Sequence, residues 1–321
     1  MSRRLNIYYL LILSILIFLM GCNNKKAGED NQVTIGILQH GSSIPFVVAQ
    51  KEGLFEKQGI NVKFKTLTPA QHMPSLLSGD VQLLSPSSFP VIFSTAQQNP
   101  NTIIGYMTGG ESMEGDILYG IVVKKSSNAT SLGDLVGKTI GSASKFTVVN
   151  LRNVLGSEFN DKIGQTTIRE IADKGTLLDS LRKGTVDAVI MDQPLLSSKE
   201  VIEEFKIIES NFRAKYLGNP YWSGSGIANK SWVSENEIIF NKVLSALDEA
   251  LSICNKTPEI AKQMFISYFE IQDLKSNRIG MYVYPGAKFA PSEDFCEKLA
   301  KTLMANGMLG ENYNFTNLFY R

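Results

Sequence analysis

From residue 33 onward, short apolar runs alternate with stretches of helical periodicity. This is the rhythm of strands joined by covering helices. Residues 33–38 (Val-Thr-Ile-Gly-Ile-Leu) read as a first strand. Residues 46–55 place Phe46, Val47, Ala49 and Leu54 at helical spacing, with Gly53 near the end. Residues 60–64 alternate as a second strand. A short helix runs up to Gly79, with Pro74 marking a late start, and residues 81–84 form a third strand.

The same order returns further along. Lys138-Thr139-Ile140-Gly141 repeats Val33-Thr34-Ile35-Gly36, and residues 181–187 repeat residues 76–82, both 105 positions apart. Ile168 matches Val62 within one residue of that offset. Apolar runs at 101–108 and 117–123 lie between the two units, and runs at 207–208, 216–217 and 226–228 follow the second. The remainder reads as helix: 235–254, then 258–269 with Thr257 as N-cap and Pro258 at N1, then 292–306 closed by Gly307. The pattern predicts an α/β chain of two doubly wound lobes joined by two crossing segments. Lobe one is discontinuous, 33–120 plus 220–321, and lobe two is 121–219, with crossings near 119–123 and 217–222. Such a pair of lobes leaves a hinge and a cleft between them.

The first 21 residues stand apart. Arg3 and Arg4 precede an apolar run over residues 5–20, broken only by Asn6 and Ser14. As a helix this run spans roughly 24 Å, short of the ~30 Å hydrocarbon core, and reads as an export signal. Residues 23–31 are a polar tether, so the expected divisions are 1–21 and 22–32. Leu19-Met20-Gly21-Cys22 resembles a bacterial lipobox. That resemblance implies cleavage before Cys22 and a diacylglyceryl group on its sulfur. Two or more acyl chains, such as palmitate, anchor a protein stably to a membrane.

Composition narrows the class. The chain of 321 residues is 43% hydrophobic and 20% charged, too apolar for a disordered polymer. Its net charge is +1; losing residues 1–21 removes Arg3 and Arg4 and leaves −1. No basic excess points to nucleic acid. Two His and three Cys exclude a disulfide-dense scaffold and give no zinc cluster, so neither metal nor cofactor is expected. Cys254 and Cys296 fall in helical segments, and their spacing leaves open whether they pair. No phosphate-binding loop, His-Glu-x-x-His or Gly-x-Ser-x-Gly elbow is present, and Trp222-Ser223-Gly224-Ser225-Gly226 is not such an elbow. A non-enzyme is expected.

With these residues in view, the chain resembles the substrate-binding lipoproteins of ABC importers of the nitrate/sulfonate/taurine type. That group includes binders of thiamine-pyrimidine precursors and of riboflavin. The resemblance rests on residues 33–38, on the phrase Pro45-to-Val62 with its Gly53-Leu54-Phe55 and Gly59-Ile60-Asn61-Val62, and on Leu77-Ser78-Gly79-Asp80-Val81. It continues through Ser131-to-Ile140 and Leu181-to-Ala188 and weakens in the C-terminal third. It implies a periplasmic-binding-protein-like (type II) fold. It also implies an extracytoplasmic receptor that closes on a small molecule and delivers it to ABC permease subunits. A monomer is expected. Two turns depart from the family pattern: Ser85-Pro86-Ser87-Ser88-Phe89-Pro90 and Gly141-Ser142-Ala143-Ser144-Lys145. They fall where ligands bind, which leaves an anion, a sulfonate and a planar heterocycle all open. A sensory or adhesion lipoprotein on the same scaffold is a second reading. An exported enzyme related to thiamine-pyrimidine or menaquinone biosynthesis is a third.

Ligands of doubly wound sheets sit beyond the C-terminal ends of strands, against helix N-termini. After the first strand this selects Gln39, His40, Gly41 and Ser42; after the third, Ser85, Ser87 and Ser88. In the second unit it selects Ser142, Ser144, Lys145 and Phe146, and then Asp192. Helix capping competes with ligand contact for the hydroxyls and for Asp192. Tyr221 and Trp222, near the return crossing, offer rings for a planar ligand, with core packing as the alternative. His72 reads as a loop or helix-start residue, and the acidic loop 110–116 as solvent-facing.

Overall fold

The computed structural model describes residues 31–109, 117–162, 165–171, 173–219, 221–272, 274, 279–280, 282, 285–311, 313, 315 and 317–320. The export signal, Cys22, nearly all of the tether and the loop 110–116 lie outside the described residues.

Among the described residues, ten strands form two five-stranded sheets. The first contains β1 (Gln32–Ile37), β2 (Asn61–Thr66), β3 (Leu83–Ser88), β4 (Ile103–Gly109) and β10 (Gly224–Asn229), in the order β2-β1-β3-β10-β4. The second contains β5 (Tyr119–Lys124), β6 (Thr139–Ser142), β7 (Thr167–Glu170), β8 (Ala188–Asp192) and β9 (Phe205–Ser210), in the order β7-β6-β8-β5-β9. In each sheet three parallel strands come first, and an antiparallel strand fills the fourth place. Residues 119–124, expected at the first crossing, are already strand β5 of the second sheet. The change of sheet falls between Gly109 and Tyr119. Residues 216–217 belong to the helix Phe212–Leu217 on the returning segment, not to a strand.

The internal repeat is a repeat of register. Gly36 pairs with Leu84, and Gly141 with Val189, each partner again 105 positions on. Ile35 faces Phe64 and Ile140 faces Ile168, one residue short of the offset. The helices Pro69–Leu77 and Lys174–Lys183 start 105 residues apart, and Gly79 and Gly184 follow them with φ of 81° and 73°. The two strand glycines have a packing reason. A Cβ at Gly36 would stand 2.6 Å from Leu67 Cδ1 and 2.7 Å from Leu84 Cδ2; one at Gly141, 2.8 Å from Leu177 Cδ1. The helix Pro69–Leu77 begins earlier than Pro74 suggested. Thr68 caps it, its N–H donating to Gln71 Oε1 at 3.1 Å, and Pro74 sits within.

Both faces of both sheets are covered. Val33, Ile35 and Ile37 of β1 pack with Phe46 and Val47 of helix Ile44–Lys51 and with Phe240, Leu244 and Leu247 of helix Glu237–Lys256. The opposite face carries Leu84 and Ile227 against Phe93 of helix Phe89–Gln98 and Leu299 and Leu303 of helix Glu293–Ala305. In the second sheet Ile140 and Ile190 meet Leu151 and Val154 of helix Lys145–Phe159, and Val189 and Met191 meet Leu177 and Leu181. Each fully buried side chain of this kind contributes roughly 1.5–3 kcal/mol. Chain that follows the second sheet therefore completes the first, through β10 and the late helices. Among the described residues no helix is long and apolar enough to cross a membrane.

Candidate ligand-binding cleft

The C-terminal ends of β1, β3, β6 and β8 face one cavity of about 760 Å³, lined from both sheets. That is within the range of small-molecule sites. Gln39, His40, Ser42, Ser87, Ser88, Ser142, Ser144, Phe146 and Asp192 line it.

His40 caps a single turn over Gly41–Ser43. Its Nδ1 accepts from Ser42 N at 3.3 Å and lies 2.9 Å from Ser42 Oγ. In the neutral ring that leaves the proton on Nε2. Nε2 faces Tyr282 Oη at 3.3 Å and Asp192 Oδ2 at 4.0 Å. His40 follows β1 and Asp192 ends β8, so this contact spans the cleft. Tyr282 Oη also lies 2.8 Å from Tyr119 Oη on β5, a second bridge to the other sheet. In the second lobe, Ser144 Oγ accepts from Thr147 N at 3.3 Å and caps the helix Lys145–Phe159. Ser142 Oγ accepts from Ser144 N at 3.3 Å, which fixes the turn.

Five of the residues selected from the sequence do not line the cavity. Ser85 is fully buried, and its Oγ accepts from Leu38 N at 3.2 Å inside the sheet. Gly41 packs against the C-terminal segment, where an added Cβ would stand 3.4 Å from the Gly280 carbonyl oxygen. Lys145 opens its helix on the exposed side. Tyr221 is buried and its Oη donates to Asn150 Oδ1 at 3.4 Å. Trp222 lies edge-on to Phe289 and Phe295, with centroids 5.0 and 5.5 Å away, and belongs to the core under helix Glu293–Ala305.

The cavity also holds residues the sequence reading passed over. Arg213, 2% exposed, opens the returning segment, with its guanidinium carbon 3.8 Å from the Tyr119 ring centroid. Among the described lining residues it is the one Lys or Arg. The strand-end rule applied to β9 would have reached it. Tyr119 and Tyr282 carry no local signal, since Tyr282 reaches the site from far along the chain. His72 lies in the first turn of helix Pro69–Leu77, the helix-start alternative, but on the inner face, 3% exposed, with Nδ1 2.8 Å from Ser87 Oγ. Burial pushes its imidazole down to about 4, with the Gly36 carbonyl pulling weakly the other way. The inward spacing of His72, Met73 and Leu76 was the available clue.

Known proteins share this architecture. The aliphatic sulphonate-binding protein SsuA of Escherichia coli superposes with a TM-score of 0.71 at 15% identity, over 91% of this chain and 92% of its own. The nitrate-binding protein NrtA of Synechocystis PCC 6803 gives 0.64 at 11% identity, over 88% and 83%. These likenesses establish the fold, that of periplasmic binding proteins. In sequence, a putative thiamine biosynthesis protein of Haemophilus influenzae is 28% identical over 232 residues, covering 69% of this chain and 68% of the relative. The family model described as NMT1/THI5 like matches residues 40–261, which takes in the first turn of the cleft, the whole second sheet and the return into the first. On that match, the chain belongs to the NMT1/THI5-like family.

Proposed function

We propose that this protein is an extracytoplasmic solute receptor of an ABC importer, not an enzyme. It captures a small molecule between its lobes and hands it to the permease. One observation carries the reading: a single cavity receives equivalent strand ends from both halves of the repeat, so closure of one half on the other buries what lies between. The closing bodies are the expected 33–120 plus 220–321 and 121–219, with Tyr119 and Gly120 moved to the second body because they lie in β5. The names of SsuA and NrtA agree with a receptor. The lipobox supports anchoring of a monomer through lipid on Cys22, on the outer side of a bacterial membrane. Anions, sulfonates and planar heterocycles are the solute classes to screen, and the relative's name adds thiamine precursors to the last.

Thermal-shift screening of these classes tests the reading. A solute at a hundred times its Kd stabilises by about 2.7 kcal/mol. Small-angle scattering with the stabilising solute is expected to show compaction. Binding without compaction would refute capture by closure. For the anchor, Cys22→Ser is expected to move the protein to the soluble fraction, and unchanged membrane retention would refute lipidation.

A further inference from the structure

We propose that Tyr282 is a hinge brace: its hydroxyl ties the C-terminal segment of lobe one to the first strand of lobe two and sets how far the lobes part. The brace is a property of the fold; only its effect on solute affinity rests on the receptor reading.

The chain entering lobe two and the chain leaving it are stitched together. Asn211 directly follows β9, with φ of 46°. Its Oδ1 accepts from Leu118 N at 3.0 Å and from Tyr119 N at 3.3 Å. Its own N–H donates to the Tyr119 carbonyl at 3.0 Å. Leu118 is buried in the same core as Ile35 and Phe240 of lobe one. The two crossings therefore bend as one joint, anchored in lobe one at Leu118.

A third segment reaches that joint from far along the chain. Gly280 lies against the first crossing, where an added Cβ would stand 2.6 Å from the Ile117 carbonyl oxygen and 2.9 Å from Leu118 N. Two residues on, Tyr282 Oη lies 2.8 Å from Tyr119 Oη and 3.3 Å from His40 Nε2. Each ring is held by its own lobe. Tyr282 is 6% exposed within the lobe-one core, and its ring lies 5.5 Å from that of His40. The Tyr119 ring is covered by the Arg213 guanidinium of lobe two at 3.8 Å. When lobe two turns, Tyr119 turns with it and Tyr282 stays, so opening strains the hydroxyl contact. The other contact across the cleft, His40 to Asp192, is longer at 4.0 Å and more open to water. The tyrosine pair is thus the stronger restraint. Both tyrosines line the cavity, so the brace acts at the floor of the cleft.

Distance measurement between two spin labels on the full chain in detergent tests the brace. The labels go on Ala70→Cys and Lys145→Cys, exposed residues at helix starts whose chain neighbours line the cavity from opposite lobes. Cys22→Ser is included, and Cys254 and Cys296 are buried, so only the introduced thiols take label. Tyr282→Phe keeps the ring and removes the hydroxyl. Without solute it is expected to raise the ratio of long to short distances roughly fivefold, the worth of one hydrogen bond. Tyr119→Phe is expected to give the same shift, and the double variant no more than either alone, because all three remove one contact. An unchanged distribution in Tyr282→Phe would overturn the brace, even with a lowered melting temperature, since the hydroxyl would then serve packing alone. Additive effects of the two substitutions would overturn it as well. With a solute in hand, Tyr282→Phe is expected to bind more weakly by the factor by which the closed fraction falls. Unchanged affinity beside a shifted distribution would overturn the part of the brace in capture. The distance measurement needs no solute, so its failure and that of the receptor reading are told apart.

Discussion

The two halves of the molecule share their geometry and differ in their chemistry. Gly36 and Gly141 hold the same register, and the helices that follow β2 and β7 start at equivalent residues. At the cleft the halves diverge. Both present hydroxyls, Ser87 and Ser88 opposite Ser142 and Ser144; the first adds two imidazoles, and the second adds Asp192 and, on the returning segment, Arg213. Register is set by backbone pairing and by where a glycine admits a neighbour's side chain, so it tolerates change at the strand tips. Pairing at the tips, such as Ser87 with Ser225 and Asp192 with Tyr119, runs through the backbone and not the side chain, and there the halves are free to specialise.

Acid stability offers the largest test of that contrast. The unfolded His72 protonates near pH 6.5 and the folded one only near 4. Between these values the unfolded chain holds a proton the folded chain lacks, so stability falls as pH falls from about 6.5 to 4 and is unaffected above. The loss amounts to about 3 kcal/mol. His72→Leu, which copies Leu177, is expected to flatten this part of the urea-unfolding profile. An unchanged slope would show that His72 titrates freely in the folded protein.

Glycine substitution gives the next effect. Gly36→Ala places a Cβ within 3.0 Å of two side chains and Gly141→Ala within 3.0 Å of one. Costs of about 2 and about 1 kcal/mol are expected from urea midpoints; the reverse order would break the equivalence of the halves. The cross-cleft contact is smaller. His40 and Asp192 side chains are 24% and 31% exposed and 4.0 Å apart, so His40→Ala is expected to cost under about 1 kcal/mol. Its readout is a more open ligand-free form in scattering, and an unchanged profile would remove it as a bridge. Lys145→Ala is expected to change stability by less than about 0.5 kcal/mol and to leave solute affinity unaltered, because Lys145 is exposed outside the cavity. A loss of affinity would bring the lobe-two turn inward.

Much of the fold was legible in one dimension, because strand alternation and glycine spacing are local patterns. The site was legible only in part. Ser87, Ser142 and Asp192 follow strands that the pattern located, so the strand-end rule brought them to the cleft. Tyr221 and Trp222 were selected as rings near the return crossing, and their rings are taken up by Asn150 and by Phe289 and Phe295 from distant elements, the packing alternative. His72 was hidden for the opposite reason. A polar residue on a short helix reads as surface until the helix is docked with that face inward.

The sequence by itself determined that two α/β units share one register 105 residues apart, and which strand ends carry polar turns. Pairing and periodicity depend on neighbours a few positions away. Tertiary structure alone decided which turn residues face the cleft, that Tyr119 and Tyr282 join them, and that a buried imidazole stands behind Ser87. Those outcomes depend on packing between segments up to 242 residues apart, as between His40 and Tyr282, and no local pattern encodes the direction in which a side chain is finally pressed.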